Sequence, residues 1–548
     1  MDNIAEKIIL QAYLTPPKNV RDFDNIKRDV LRGIKNCSEI PRKNQILKVY
    51  HKLLKQGKIK KSIQLEQMMV KRSIRTLSGV AIITVLTKPY PCPGSCVYCP
   101  FEKGMPKSYL SSEPAAARAK MLKFDPYEQV ARRTEALEMN GHPTGKIELI
   151  VKGGSWNAYP THYQYWFILR CFEACNKRKQ SLNEKQTDFL TIKKSILKEQ
   201  KKNETAKHRI IGLTLETRPD LINEKTVMEM RDIGATRIEM GAQSTDDKIL
   251  KKIQRGHDSL QTKKSMEFLK NAGFKVDLHI MPQLPGTTPK KDLEMMLELF
   301  KDPGYRPDMI KVYPCTVLEN TVLYDWYKSG EYKPYSNKNL IEIISEFKNQ
   351  IPYYTRISRL IRDIPSPHIK AGNKLTNLRQ DIQKYMGENG MKCRCLRCRE
   401  VGHIIEKNND IKKEAPKLFI EKYNTRGGTE YFLSLEDKNR QAVFAFCRLR
   451  ILDDFKKTKE EYKIFKPYPA YIRELHTYGQ LLSFGSKNKQ ASQHKGMGQK
   501  LIKEAEKITT KHKAKKLAII SGVGVRGYYR QKLGYRLENG YMVKKLNI

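Results

Sequence analysis

Three cysteines at C-x3-C-x2-C spacing, Cys92, Cys96 and Cys99, follow directly on an apolar run at residues 80–86. Few local features restrict a fold as strongly, because thiolates that share one inorganic centre must be delivered together by a short loop at the end of a buried element. Three thiolates hold three irons of a 4Fe-4S cluster. With no fourth cysteine in the motif, the remaining iron stays open for a chelating ligand, as a catalytic zinc keeps one position open. A zinc knuckle or a set of buried thiols is the plainer reading, but a zinc site needs a fourth ligand close by and none follows Cys99.

The spacing resembles that of the radical S-adenosylmethionine enzymes, in which the cofactor's amino and carboxylate groups take the open iron. The resemblance implies S-adenosyl-L-methionine as cofactor and its one-electron cleavage to a 5'-deoxyadenosyl radical, while the protein supplies placement and exclusion of water. The surrounding pattern suits such a barrel. From about residue 76 strands and helices alternate: strands are expected at 147–151, 208–215, 237–240, 275–281 and 309–313, with helices between them at 126–140, 224–233 and 289–300. With the cysteine-loop strand this makes at least six, the signature of a parallel sheet closed into a partial (β/α) barrel.

Function in such barrels sits on loops at the C-terminal ends of the strands. Gly153 and Gly154 would let backbone approach the methionine amino group, since no Cβ stands in the way. Glu216 and Arg218 are candidates for the ribose hydroxyls and the carboxylate or sulfonium surroundings, and Gln243 and His279 for the same mouth. Each residue alone reads more simply as a turn or a satisfied polar group; their gathering at one expected edge gives the functional reading its weight. The lysine-rich stretch 171–207 reads as a solvated insertion on a barrel helix, and Arg356, Arg359 and Arg362, three apart, would form one stripe if helical.

Beyond the barrel, Cys393, Cys395 and Cys398 suit a structural zinc bracing one domain against the next. The fourth ligand is unassigned: His403 is close in sequence and Cys315 is another thiol. A second iron-sulfur cluster is the alternative. After about residue 415 the pattern turns to antiparallel strands, expected at 431–435, 442–449 and 471–478. The last leads to a glycine-rich turn, Gln493-His494-Lys495-Gly496-Met497-Gly498, before an amphipathic helix at 499–510 and a strand at 516–520. Amide groups opening a helix gather around an anion, and this one resembles the pyrophosphate cradle for coenzyme A in a GNAT acetyltransferase. In that fold the cofactor's amide arm lies along the preceding strand, so Glu474, Leu475, His476 and Thr477 would line it. Glu474 is the nearest candidate base, against the plainer reading of a surface carboxylate. Tyr528 and Tyr529 open the next helix, where one can meet the thioester and the other is expected to pack in the core.

Lys and Arg number 104 against 59 Asp and Glu in 548 residues, a net charge of +45. Such an excess points to a polyanionic partner, nucleic acid first, against a plain bias toward lysine. Residues 1 to about 75 read as a basic helical module with apolar spacing over 40–54, either an RNA grip or an ordinary solvated face. No run approaches about 20 apolar residues and the N-terminus lacks a signal-peptide pattern, so a cytoplasmic location without membrane attachment is expected. The division expected is 1–75 helical, 76–365 radical barrel, 366–415 linker with zinc, and 416–548 acetyltransferase.

A radical barrel joined to a GNAT domain is a rare pairing, and here the sequence closely resembles the catalytic subunit of Elongator, the tRNA uridine acetyltransferase family. The matching residues include 91–100, Pro106-Lys107-Ser108-Tyr109, Phe124-Asp125-Pro126-Tyr127 and 214–220. They continue through Arg362-Asp363-Ile364-Pro365, Cys393-Arg394-Cys395, Arg473-Glu474-Leu475-His476 and 520–536. The resemblance implies that Cys92, Cys96 and Cys99 bind the cluster, that the 493–498 loop binds acetyl-CoA as substrate, and that Tyr528 or Tyr529 acts near the thioester. It implies abstraction of a methyl hydrogen, addition to carbon 5 of the wobble uridine in a tRNA anticodon stem-loop, and thioester hydrolysis to 5-carboxymethyluridine. The anticodon loop would lie across the basic cleft between the two domains, with a homodimer or accessory subunits left open. Two segments depart from the family pattern: Phe101-Glu102-Lys103-Gly104, where relatives often carry Gly-Gly, and Ser155-Trp156-Asn157 after the glycine pair. A protein lysine acetyltransferase with a structural iron-sulfur barrel, and a tRNA-binding scaffold without turnover, are the competing readings.

Overall fold

The computed structural model describes residues 2–34, 41–69, 79–177, 183–405, 415–478 and 496–547. Seven parallel strands form the first sheet in the order of the chain: β1 (Ala81–Leu86), β2 (Lys146–Lys152), β3 (Arg209–Thr217), β4 (Arg237–Gln243), β5 (Lys275–Ile280), β6 (Met309–Val312) and, past a short β7 (Val317–Leu318), β8 (Arg356–Arg359). Sequential order with a helix over nearly every crossover curves the sheet into an open barrel. Its outer face is apolar, with Ile147, Leu149, Leu213, Leu215, Ile238, Val276 and Leu278 under 1 % exposed beneath the helices.

Two expectations are corrected. Arg356 to Arg359 is a strand, not part of a helical stripe: it pairs in parallel with β6 through Met309–Arg356 and Ile310–Ile357. The open edge of β6 captures a segment with Pro352 before it and Pro365 after it, and sheet pairing overrides a three-residue spacing too short to define a helix. Stretch 171–207, expected as a solvated insertion on a barrel helix, is in its described residues part of the barrel's own packing. The helices Thr161–Cys175 and Phe189–Asn203 pack as a pair on the barrel, with Ile192 and Ile196 buried and Gln200 Nε2 donating to Asp232 O at 2.8 Å. The lysines of the second helix cover its outer side.

β9 (Ile369–Ala371) pairs with β7, and the helix Leu378–Glu388 follows. The second sheet runs β10 (Lys417–Thr425), β11 (Gly428–Glu436), β12 (Val443–Leu452), β13 (Ala470–Thr477), β14 (Lys516–Ile519), β16 (Tyr541–Lys545), β15 (Arg536–Glu538). It is antiparallel except where β13 meets β14, and that pairing holds only at Tyr471–Ala518 and Ile472–Ile519. β13 then runs on to Thr477 while β14 ends, leaving a notch along Arg473 to Thr477. The helix Met497–Lys511 lies on this sheet through Leu501, Ile502, Ala505 and Ile508.

The two sheets share one core. Tyr471, Ala518, Ile520, Tyr541 and Val543 pack in the same apolar cluster as the barrel helices. A buried charge network crosses the same boundary. Arg473 donates to Asp308 at 2.6 and 2.7 Å and to Glu430 at 2.8 Å, and Arg450 pairs with Glu430 at 3.0 Å. Asp308 also accepts from Val276 N at 2.9 Å. Charges so deeply buried hold only when every lone pair is matched, and here the matches come from both sheets. Among the described residues, 2–34 and 41–69 form four helices around a separate apolar centre of Ile8, Ile9, Phe23, Ile46, Tyr50 and Leu53. No helix among the described residues is long and apolar enough to cross a membrane.

Candidate active site

One cavity of about 1820 Å³ opens between the barrel mouth and the second sheet. The cysteine loop forms one wall, with Cys92, Cys96 and Cys99 lining it, and the notch of β13 forms the opposite end. The loop after β1 is anchored by Val97, whose N donates to Ile253 O at 3.2 Å and whose O accepts from Leu323 N at 2.9 Å.

The three thiols suit a cluster held through sulfur. Arg255 Nη1 donates to Cys96 Sγ at 3.4 Å; burial pushes this thiol up, yet the Arg255 and Arg218 charges outweigh it and bring it below its usual range. Cys99, buried and beside Cys96, is pushed up to about 11. Arg218 is itself held by Asp220 at 2.9 Å and donates to Arg255 O at 2.6 Å, so its guanidinium faces the cysteine loop rather than open solvent. Gly94 is forced by this arrangement: a Cβ there would overlap the Arg218 guanidinium.

The glycine pair turns at the end of β2 with φ +119° at Gly153 and +111° at Gly154, backbone that L side chains rarely adopt. A Cβ on Gly153 would overlap Thr87 Oγ1, while Gly154 faces the cavity. Gln243, at φ +75°, and His279 line it too.

Glu216 lies in a dense charge cluster. Its Oε2 accepts from Tyr109 Oη at 2.8 Å and pairs with Lys152 at 3.2 Å, with His279 Nδ1 3.5 Å from Oε1. Burial pushes the Glu216 carboxyl up, but Lys152 and His279 hold it below the usual range. Glu239, deeper on β4, bonds Lys152 and Lys311 and lies 3.5 Å from His279 Nε2. Burial brings the Lys311 ammonium down to about 8 and lowers His279. Although Glu216, Glu239 and His279 gather closely enough for a metal ion, the two lysine ammoniums already supply the cation. Sequence reasoning missed Tyr109, Lys152, Glu239, Arg255 and Lys311. For Lys152, Glu239 and Lys311 the signal was present, charged residues breaking the apolar run expected of a strand covered on both faces, whereas Tyr109 and Arg255 lie on loops with no such mark.

At the far end Glu474 does not stand as a base. Its carboxylate is clamped between Lys275 at 3.1 Å and Arg448 at 2.9 Å, and although burial opposes ionisation these cations hold it down at about 2. It joins β5, β12 and β13 instead. Leu475, His476 and Thr477 continue along the notch and line the cavity; His476 stacks on Phe446 with centroids 5.7 Å apart. Gly496, in the left-handed region at φ +96°, caps the helix Met497–Lys511; Gly496 and Gly498 face the cavity, whereas the Met497 side chain is buried in the second sheet's core. Gln493, His494 and Lys495 lie outside the described residues. Tyr528 and Tyr529 both line the cavity; the Tyr528 hydroxyl lies over Gly498, while Tyr529 is buried in the core against Tyr535.

Cys393, Cys395 and Cys398 bring their sulfurs within 4.8 Å of one another. Bonds of about 2.3 Å to one tetrahedral ion demand neighbours this close. No described His, Cys, Asp or Glu joins them: Cys315 is buried elsewhere, among Val97, Leu284 and Tyr332, and His403 is not in the group.

Residues 90–300 match the Radical SAM superfamily and residues 307–388 the Radical_SAM C-terminal domain. A tRNA uridine(34) acetyltransferase of Methanocaldococcus infernus is 41% identical over 99% of this chain and 98% of its own length. That of Methanocaldococcus jannaschii is 44% identical over 87% and 86%. Human Elongator complex protein 3 is 37% identical, again over 87% and 86%. The solved structure of archaeal Methanocaldococcus infernus Elp3 with an N-terminal deletion (1-46) superposes with a TM-score of 0.71 at 40% identity, covering 86% of this chain and all of that one.

Proposed function

Because the chain belongs to the family of tRNA uridine(34) acetyltransferases and Elongator complex protein 3, we propose that it modifies the wobble uridine of a tRNA to 5-carboxymethyluridine with acetyl-CoA as carbon donor. Family membership brings with it a 4Fe-4S cluster and S-adenosyl-L-methionine, which together supply a carbon-centred radical able to take a hydrogen from an unactivated methyl group. Cys92, Cys96 and Cys99 would hold the cluster. The Gly153-Gly154 turn admits the methionine end of the cofactor, and Glu216 and Gln243 meet its polar groups. Arg218 and Arg255 neutralise the sulfur loop.

The observation that carries the proposal is the single cavity joining the cysteine loop to the β13 notch. A thioester seated in the notch would present its acetyl end toward the sulfur loop without leaving the protein. The notch offers an unpaired strand edge for the amide arm of coenzyme A, the amides around Gly496 and Gly498 a cradle for its pyrophosphate, and the Tyr528 hydroxyl a proton donor beside the thioester. This reads residues 416–548 as a GNAT acetyltransferase domain and 76–365 as the radical domain. The rim carries Lys107, Arg359, Lys374, Arg379 and Arg397, a basic frame for an anticodon stem-loop. A zinc ion on Cys393, Cys395 and Cys398 would brace the 366–415 segment between them. The reaction belongs to the cytoplasm, where thiols stay reduced.

Anaerobic reconstitution with iron and sulfide, then addition of reductant, S-adenosylmethionine, acetyl-CoA and tRNA, tests this. Both 5'-deoxyadenosine and 5-carboxymethyluridine are expected, and both vanish in Cys96→Ser. Acetylation of protein lysines that survives Cys96→Ser and needs no tRNA would replace the proposal with the lysine acetyltransferase reading.

A further inference from the structure

Arg255 is buried, and each nitrogen of its guanidinium has an acceptor of its own. Nη1 donates to Cys96 Sγ at 3.4 Å, Nη2 to Gly241 O at 2.5 Å and Nε to His257 Nε2 at 3.1 Å. Gly241 makes room for this plane, since a Cβ there would stand 2.7 Å from Nη2. Arg218 Nη1 lies farther from the same sulfur, at 4.0 Å. An arginine Nε always carries its hydrogen, so His257 Nε2 must present a lone pair and the ring proton sits on Nδ1, 3.3 Å from Asp258 O. Burial and the Arg255 charge bring the His257 ring down to about 4, which keeps it neutral and able to accept at neutral pH.

Net charge and hydrogen bonds to the sulfurs are among the features that set the potential of an iron-sulfur centre. Reduction adds a negative charge, and a cationic N–H donor at a ligand sulfur stabilises the reduced form more than the oxidised one. A guanidinium on a flexible stem would leave the sulfur part of the time; one clamped at Nη2 and Nε stays on it. We propose that Arg255 raises the reduction potential of the cluster held by Cys92, Cys96 and Cys99 through its bond to Cys96, and that His257 is the positioning residue that keeps the guanidinium in that bond. The inference rests on the cluster reading given above and adds to it what governs how readily the cluster takes up its electron.

The test uses the full chain, reconstituted anaerobically with iron and sulfide and titrated with a low-potential reductant, the reduced cluster being read by electron paramagnetic resonance. Arg255→Gln should disfavour reduction at least about tenfold relative to wild type, a fall of about 59 mV for one electron. His257→Phe should shift the equilibrium the same way by at least about threefold, and His257→Gln, whose amide oxygen can accept from Nε, should return it to within about 1.5-fold of wild type. Adding His257→Phe to Arg255→Gln should move the potential no further, because the histidine acts only through the arginine. All these variants keep the three cysteines, and iron content equal to wild type separates a changed potential from a lost cluster. An Arg255→Gln cluster with the wild-type potential overturns the proposal, as does a His257→Phe shift that persists without Arg255 or that His257→Gln fails to reverse. Should Arg255→Gln take up no iron, the two His257 variants decide alone, and an unshifted His257→Phe overturns it. A wild-type chain that takes up no iron sinks the cluster reading itself.

Discussion

On the helix Arg526–Leu533 both tyrosines line the cavity, but Tyr529 is buried while Tyr528 is 38 % exposed, so Tyr528 is the more open of the two to the thioester proposed there. Tyr528→Phe should therefore leave folding intact and slow acetyl-CoA hydrolysis roughly 100-fold, read as release of free thiol. Glu474 shows the opposite case, a polar residue whose neighbours remove it from proton transfer. Glu474→Gln would take the anion from Lys275 and one of two from Arg448, which keeps Asp308 at 3.6 Å, and urea unfolding should report a loss of about 3 kcal/mol. Lys270, 1 % exposed, donates to Arg306 O at 2.7 Å, and burial brings its ammonium down to about 7. Its unfolded value is near 10.4, so between these limits the unfolded chain binds the extra proton and stability rises with pH. The stability difference between wild type and Lys270→Met should therefore shift in favour of wild type from pH 7.5 to 9.5 in parallel urea titrations.

Among the elements, the parallel strands were legible because each is a short apolar run closed by a polar or glycine turn, and the structure sets their ends within a few residues of the sequence reading. The Arg356 strand was not, since a strand at the edge of a sheet is defined by the neighbour that captures it. The notch beside β13 was equally hidden: divergence of two strands follows from the packing of a whole sheet, and residues 473–477 carry no local mark of it. The glycines at 522 and 524 were visible as a motif but not as a contact. In the folded chain the segment crosses the backbone of β3, and a Cβ on Gly522 would overlap the Ile211 carbonyl. Gly522→Ala should lower the melting temperature by several degrees, since relieving a clash against backbone requires the sheets to separate and overpacking typically costs about 1 to 3 kcal/mol. Gly527→Ala on the next helix, where nothing stands within 4 Å, should be silent by the same assay.

For the molecule as a whole, the charge of +45 gives a measurable consequence. If about six phosphates of a single-stranded loop are neutralised, a slope near −0.7 for each predicts a loss of roughly several hundred-fold in tRNA affinity between about 50 and 200 mM salt. Filter binding across that range checks it, and a flat response would exclude an RNA substrate. Arg473 and Arg448 belong to the second sheet yet end on Asp308 and on the Tyr354 carbonyl of the first part of the chain, at 2.6 and 2.7 Å. They act as rivets. The span from sulfur loop to strand notch is thereby held as a gauge, and a thioester carrier seated as proposed would have to cross it by its own length rather than by movement of the two sheets.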